Sequence, residues 1–379
     1  MRLPWVVLVV PSLALARPLP SGLKITLAQN EVIATRDGVT VAVSDSTSQI
    51  GKLVSTELSD DGATLQIKGT SCWGDDPDTI SVPLVLVEAR FENVVGMKLH
   101  SKKQYANAIA HFALAAQQDP ESPVFATNLL SAQSLAGKLD DGDRTITTYA
   151  KHNPAWWAWR LAVDPELKAM RTRSSAKLAA NKGTAKGSLQ GKIAYSALGL
   201  VATEVSTHIW DGIPDGSDEQ ELAIVEVATG KELLRLPTEV TCAVNMEAAM
   251  KGNRNPPPVD KACPRREAAK AATHRVVTDA VLAALGFAVV KNGYQSLWGS
   301  NGSKEEIVGP DDRKVVLGDK PKLVVNGKAR DFELHDHTSA LGFIPNAIVV
   351  IHRSDSKHLD DCTSADGWNR MELEIVPAR

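Results

Sequence analysis

The sequence predicts an α+β chain of several domains, in which a short stack of paired helices is flanked on both sides by antiparallel β-rich regions. Three observations carry that expectation. Strand-like alternation runs from Leu23 to Val87, apolar residues then recur at helical spacing through residue 171, and alternation resumes beyond residue 193. At 379 residues the chain has room for two or three domains, on a prior of about 150 residues each.

Residues 1–16 stand apart. Arg2 precedes the apolar run Leu3 to Ala16, which ends in Ala14-Leu15-Ala16 before Arg17 and Pro18, as a cleaved export signal does. The run is short for a membrane span, which needs about 20 residues, and Pro4 and Pro11 interrupt it. The next most apolar stretch, Asp279 to Val290, is shorter still, so no transmembrane segment is expected in the mature chain. The composition, 43% hydrophobic and 23% charged with a formal net charge of −3, is that of a folded domain and gives no general attraction for phosphate. Nucleic acid is therefore not an expected partner.

Cys72, Cys242, Cys263 and Cys362 make an even set that suits two bridges in an oxidising compartment, with three pairings possible. Cys242 and Cys263 flank the proline- and charge-rich stretch Lys251 to Pro264. Closing a loop of about twenty residues contributes on the order of 3 kcal/mol, and that pairing leaves Cys72 with Cys362. Four buried thiols are the alternative. No CxxC spacing points to zinc.

The small β-rich region 17–86 contains the alternating runs Lys24–Leu27, Val39–Val43 and Thr64–Ile67. Asp37-Gly38 and Asp61-Gly62 suit tight hairpins, because both residue types tolerate positive φ. Helical spacing follows: Phe91, Val95 and Leu99, then Tyr105, Ala108, Ile109, Phe112 and Ala115. Pro120 and Pro154 lie thirty-four residues apart. Gly96, Tyr105, Ala108, Phe112, Ala115 and Pro120 together resemble a tetratricopeptide repeat. A second copy keeps Leu129, Gly137 and Pro154 but departs at Gly142, where the family favours Ala, and at Ile146, where it favours an aromatic. Thr145, Thr147 and Thr148 also lower helix propensity there.

The resemblance covers residues 87–171 and implies stacked hairpins with a concave groove lined by the first helix of each pair, holding a protein or peptide. The implied groove positions are Arg90, Asn93, Met97 and His100, then Thr127, Ser131 and Ser134. That face lacks a lysine clamp for a terminal carboxylate. Asn153-Pro154 and Asp164-Pro165 each put a capping side chain before proline, so two further helices are expected. Trp156, Trp157 and Trp159 on the first of them read as core over the end of the stack in preference to an aromatic ligand shelf.

Residues 172–192, rich in Ala, Ser, Gly and Lys, have the composition of a flexible, solvated linker. The remaining β-rich domain, 193–379, opens with a hairpin in Glu221 to Pro237 that turns at Ala228–Lys231. A helical insertion, 266–292, is expected to face Val276, Val277, Ala280, Val281, Ala284 and Leu285 inward. Strands resume at 315–317, 322–325, 347–351 and 371–375.

Two clusters invite metal. Asp211, Asp215 and Asp218 lie on a Gly-rich loop whose carboxylates suit calcium. His335-Asp336-His337 places two imidazoles on one face of a strand, with a third ligand to come from His352 or His358. The sequence contains no GxSxG and no HExxH, and no catalytic residue is assigned. The expectation is a secreted or periplasmic, non-catalytic protein-binding scaffold with no cofactor other than calcium. The alternatives are a metal-dependent hydrolase or a calcium-binding structural envelope protein.

Overall fold

The computed structural model describes residues 18–28, 31–43, 50–71, 77–209, 217–240, 263–297, 306–309, 313–317, 321–331, 334, 338–356 and 368–377. Helices and antiparallel sheets both occur, as an α+β chain of several domains requires. Two compact units divide at Asp119/Pro120, between the two helix hairpins and not at the expected boundary near residue 86.

In the first unit, β1 (Lys24–Ala28), β2 (Glu31–Arg36) and β3 (Val39–Ala42) form one antiparallel sheet, and β4 (Ile50–Leu58), β5 (Thr64–Ser71) and β6 (Pro77–Pro83) form another. Asp37 and Gly38 both take positive φ, 52° and 74°, at the β2–β3 turn. Between β4 and β5 the Asp61 carboxylate accepts the Ala63 N–H at 2.9 Å and the Ser59 hydroxyl accepts the Thr64 N–H at 2.9 Å. Alternate residues Val32, Ala34, Ile50, Leu65 and Ile67 build the core, which Val87 and Phe91 of α1 (Leu84–Ser101) complete. The Arg36 guanidinium bonds Glu88 at 2.6 Å and lies 4.6 Å from the Phe91 ring centroid. Helix α1 is thus part of the β domain.

Helix α1 pairs with α2 (Tyr105–Gln118) through Gly96. A Cβ there would stand 2.6 Å from the buried Phe112 ring, so the absence of a side chain sets the approach of the two helices. The turn between them is a Schellman cap: Lys103 N–H donates to His100 O at 2.8 Å and Gln104 N–H to Leu99 O at 3.0 Å, with Lys103 at φ 59°.

The second unit opens with α3 (Pro123–Leu135), α4 (Leu139–Tyr149) and α5 (Pro154–Val163). Their departures from the expected pattern have local causes. At Gly142 a Cβ would meet Met170 Cε at 2.8 Å and Leu130 Cδ1 at 3.0 Å. Thr145 donates to the buried Gln133 side chain at 2.8 Å, and Thr147 and Thr148 bond back to the carbonyls of Asp143 and Arg144. Asn153 caps α5 by accepting the Trp156 N–H at 2.9 Å, and its amide donates to Leu233 O at 2.9 Å. Trp157 is fully buried, while Trp156 and Trp159 meet edge-on at 4.9 Å against the sheet core, which is the packing role. Asp164-Pro165 starts only a 3-10 turn, Pro165–Leu167, and not a second full helix.

Residues 172–192 are a packed strap and not a free linker. Gly183 N–H donates to Ala283 O, Thr184 and Ala185 both donate to Phe287 O, and Ala185 and Leu189 are buried. After it come β7 (Ala194–Ser196), β8 (Leu200–Ile209), β9 (Ser217–Glu226), β10 (Glu232–Val240), α6 (Cys263–Ala284), β11 (Phe287–Val289) and β12 (Tyr294–Ser296). A small four-stranded sheet of β13 (Glu306–Val308), β14 (Lys314–Val316), β15 (Lys322–Val325) and β16 (Lys328–Asp331) follows, and then β17 (Thr338–Ile344), β18 (Ala347–Ser356) and β19 (Trp368–Pro377). The large sheet runs β10-β9-β8-β19-β18-β17-β12, with β7 joining β8 to β11. The expected helix 266–292 ends early, at Ala284, because Gly286 turns the chain at φ 72° into β11. Val281 and Leu285 face inward as expected, whereas Val276 is 71% exposed.

On β8 and β9, Ala202, Leu222 and Ile224 join the core under α5 and α6, while Val201, Ala223 and Val225 join a second core with Val349 and Ile351. A third core under the four-stranded sheet holds Leu341, Phe343, Ile348 and Val350. Arg313, buried, donates to Ile344 O and Ala347 O and so braces the β17–β18 turn.

Two measurements test this account. Phe112→Ala should destabilise the first unit by about 3–5 kcal/mol and Gly96→Ala by about 1–3 kcal/mol; chemical denaturation curves indistinguishable from the parent would reject the Gly96–Phe112 contact. Hydrogen bonds from Arg173 and then Ser175 hold the Asp143 carboxyl below its ordinary value. Its contribution is therefore present above the unfolded carboxylate range and lost as pH falls through the lower folded value. Melting temperatures followed into acid should fall less steeply for Asp143→Asn than for the parent chain.

Candidate functional site

The spacing of Arg90, Asn93, Met97 and His100 places all four on one face of α1. Arg90 is engaged, donating to Ala42 O at 2.9 Å across to β3. The His100 ring packs edge-on against Tyr105, 5.1 Å between centroids, and against Phe112 at 6.2 Å. Asn93 is half-buried, and Met97, 45% exposed, is the open apolar point of the face.

The three implied positions on α3 do not form a groove wall. Thr127 is 1% exposed, Ser131 3% and Ser134 9%. The Thr127 hydroxyl turns back to Pro123 O at 2.8 Å, and Ser134 donates to Glu166 O at 2.6 Å in the 3-10 turn that packs on α3 with α5. Nine of the ten residues from Phe125 to Ser134 are buried, so α3 is an interior helix covered on all sides. Small hydroxyl side chains fit there because they permit close packing while bonding to backbone carbonyls.

An open polar depression of about 570 Å³ lies at the α3–α4 turn, lined by residues that include Lys138, Asp140, Asp141, Arg144 and Arg173. Its charges largely satisfy one another: Arg173 bonds Asp140 and Asp143, and Arg144 bonds Asp141. The Asp143 hydrogen bond, chiefly, raises the Arg173 guanidinium above its ordinary value. This is a structural clamp fixing the start of α4 to the strap.

Of the metal candidates, Asp211, Asp215, His335 and His337 lie outside the described residues, and of Asp218 only the backbone, paired with His208 across β8–β9, is described. Cys72, Cys242 and Cys362 also lie outside them, and Cys263 is described only as backbone opening α6. Among the described residues no group of three or more His, Cys, Asp or Glu side chains could hold a metal ion, and no helix is long and apolar enough to cross a membrane.

Sequence patterning missed the packed strap and the buried Glu204. Glu204 accepts from Ser188 of the strap at 2.6 Å and from Arg275 of α6. The available signal was Ala185 and Leu189, apolar residues within a stretch otherwise read as solvated. Comparison with protein-family models, with curated proteins and with solved structures yields no match.

Proposed function

We propose that the protein is an exported, non-catalytic protein-binding or scaffolding module in which α1–α2 and α3–α4 are tetratricopeptide-like hairpins. The observation that carries this reading is a repeated backbone device. Thirty-four residues beyond Lys103, Gly137 occupies the same left-handed position at φ 72°, and Gly137 and Lys138 donate to Ser134 O and Gln133 O as Lys103 and Gln104 donate to His100 O and Leu99 O. Two hairpins closed by the same cap at the repeat length support a common unit.

The receptive face is assigned to α1 in the first unit, because the equivalent face of α3 is interior. Its partner is a protein or peptide that sets an apolar side chain on Met97, between Asn93 and His100 on the same face of α1. This role calls for no cofactor. Export is supported by Arg2, the apolar run Leu3 to Ala16 and the even cysteine set.

A photo-crosslinking side chain at Met97 should capture a discrete partner from the exported fraction, and the same group at Val54 on β4 should not; equal yields at the two sites would overturn the assignment. N-terminal sequencing of exported protein should begin at Arg17. Retention in the cytoplasm of a chain beginning at Met1 would remove the export step.

A further inference from the structure

Residues 167–203 contain seven Lys and Arg and no Asp or Glu, in a chain whose net charge is −3. The two arginines are engaged. Arg171 donates to Asp164 O and Arg173 bonds Asp140 and Asp143. The lysines differ: Lys168, Lys177, Lys182, Lys186 and Lys192 are exposed and meet no carboxylate among the described residues, and Lys192 Nζ touches only Ser188 O, at 3.1 Å. Nearby acids are occupied, since Asp279 accepts the Gly187 N–H at 2.7 Å and Glu204 holds Ser188 and Arg275.

These charges sit on a fixed backbone. The bonds from Gly183, Thr184 and Ala185 to Ala283 and Phe287 pin the strap, and a Cβ on Gly183 would stand 2.5 Å from Leu282 O. From Lys182 to Lys186 exposure alternates, with Lys182, Thr184 and Lys186 outward and Ala185 buried. Leu198, 40% exposed, projects from the Ser196–Gly199 turn. That turn and the strap meet at Gly286, where a Cβ would lie 3.0 Å from Asn181 O, 3.2 Å from Ala179 Cβ and 4.0 Å from Ser196 Oγ.

We propose that the strap docks this protein on an anionic phospholipid surface, with the lysines against headgroup phosphates and Leu198 in the acyl boundary. An ammonium is a compact point charge that meets phosphate without a fixed geometry, and lysines on the strap together with an exposed leucine on the turn packed near it match the two layers of a membrane interface. Nucleic acid fits less well, because residues 167–192 hold no aromatic for base stacking and the strap, apart from one 3-10 turn at Ser174–Ala176, presents neither helix nor ribbon to a groove. An acidic peptide would be recognised best by arginine forks, and both arginines are engaged. The inference is independent of the partner assigned to Met97.

The test is co-sedimentation of the full chain with phosphatidylcholine vesicles and with vesicles in which a third of the lipid is phosphatidylglycerol. Binding is expected only to the second, weakening as salt rises. The triple variant Lys177→Gln, Lys182→Gln, Lys186→Gln should lose on the order of a hundredfold in affinity, about fivefold per lysine. Its melting curve should match the parent, because these side chains are exposed and meet no carboxylate among the described residues. Comparing variants on one chain cancels any contribution of Leu3 to Ala16. Equal binding to both vesicle types, an unchanged triple variant, or tighter capture by a DNA duplex or a polyglutamate peptide than by the anionic vesicles would each overturn the proposal.

Discussion

Leu222, Ala223, Ile224 and Val225 are all buried, and they point alternately into two different cores. A strand that is apolar on both sides has to be covered on both sides, since full burial of one large aliphatic side chain is worth about 1.5–3 kcal/mol. The β8–β9 pair satisfies this with β17–β18 on one side and with α5 and α6 on the other. Helix α5, expected from sequence to cap a helical stack, is thereby recruited as a lid on a sheet. Ala155 and Ala158 give it the smooth face this requires, and the Asn153 amide on Leu233 O fixes its start.

That recruitment governs what the neighbouring helices can offer a partner. Once α5 and the 3-10 turn are held on the sheet they also cover α3, so its hydroxyl-bearing face becomes interior and its polar atoms turn to the carbonyls of Pro123 and Glu166. The α1–α2 hairpin is instead committed to the β domain before it, through Phe91, Arg36–Glu88 and Arg90. The two helix hairpins therefore belong to different units, and Met97 is the exposed apolar side chain among the implied groove residues.

What could be read from sequence was what depends on neighbours in the chain. Asp37-Gly38 announces a turn because its φ preferences are local, and Gly96 with Phe112 announces a hairpin because the contact spans one turn between two amphipathic helices. The alternation of β1, β3 and β5 was legible for the same reason. Burial of Thr127, Ser131 and Ser134 was not: the hydroxyls of Thr127 and Ser134 are satisfied by backbone carbonyls, and a carbonyl acceptor leaves no trace in residue identity. The strap was read as solvated for a related reason: its anchors are main-chain N–H groups meeting Ala283 and Phe287 about a hundred positions later. Helix α6 was placed correctly in kind but overrun at its end, where Gly286 in an apolar run looked like helix interior and is in fact the left-handed exit.

Arginine and lysine divide the work of this fold. Arg36 bonds Glu88, Arg275 bonds the buried Glu204, Arg313 bonds two carbonyls of one turn, and Arg235 joins Glu232, Glu221 and Met371 O. At Arg235 burial works against the charge, yet hydrogen bonds and attraction from Glu232 and Glu221 outweigh it and hold the guanidinium above its ordinary value. A planar fork that can serve several acceptors is suited to such inner positions, whereas an ammonium, more strongly hydrated, stays at the surface. Carboxylates close to the strap are in this way taken up by arginine or by backbone N–H groups. The lysines of the strap meet no carboxylate among the described residues, so their charge stays at the surface while the arginines are drawn into the fold.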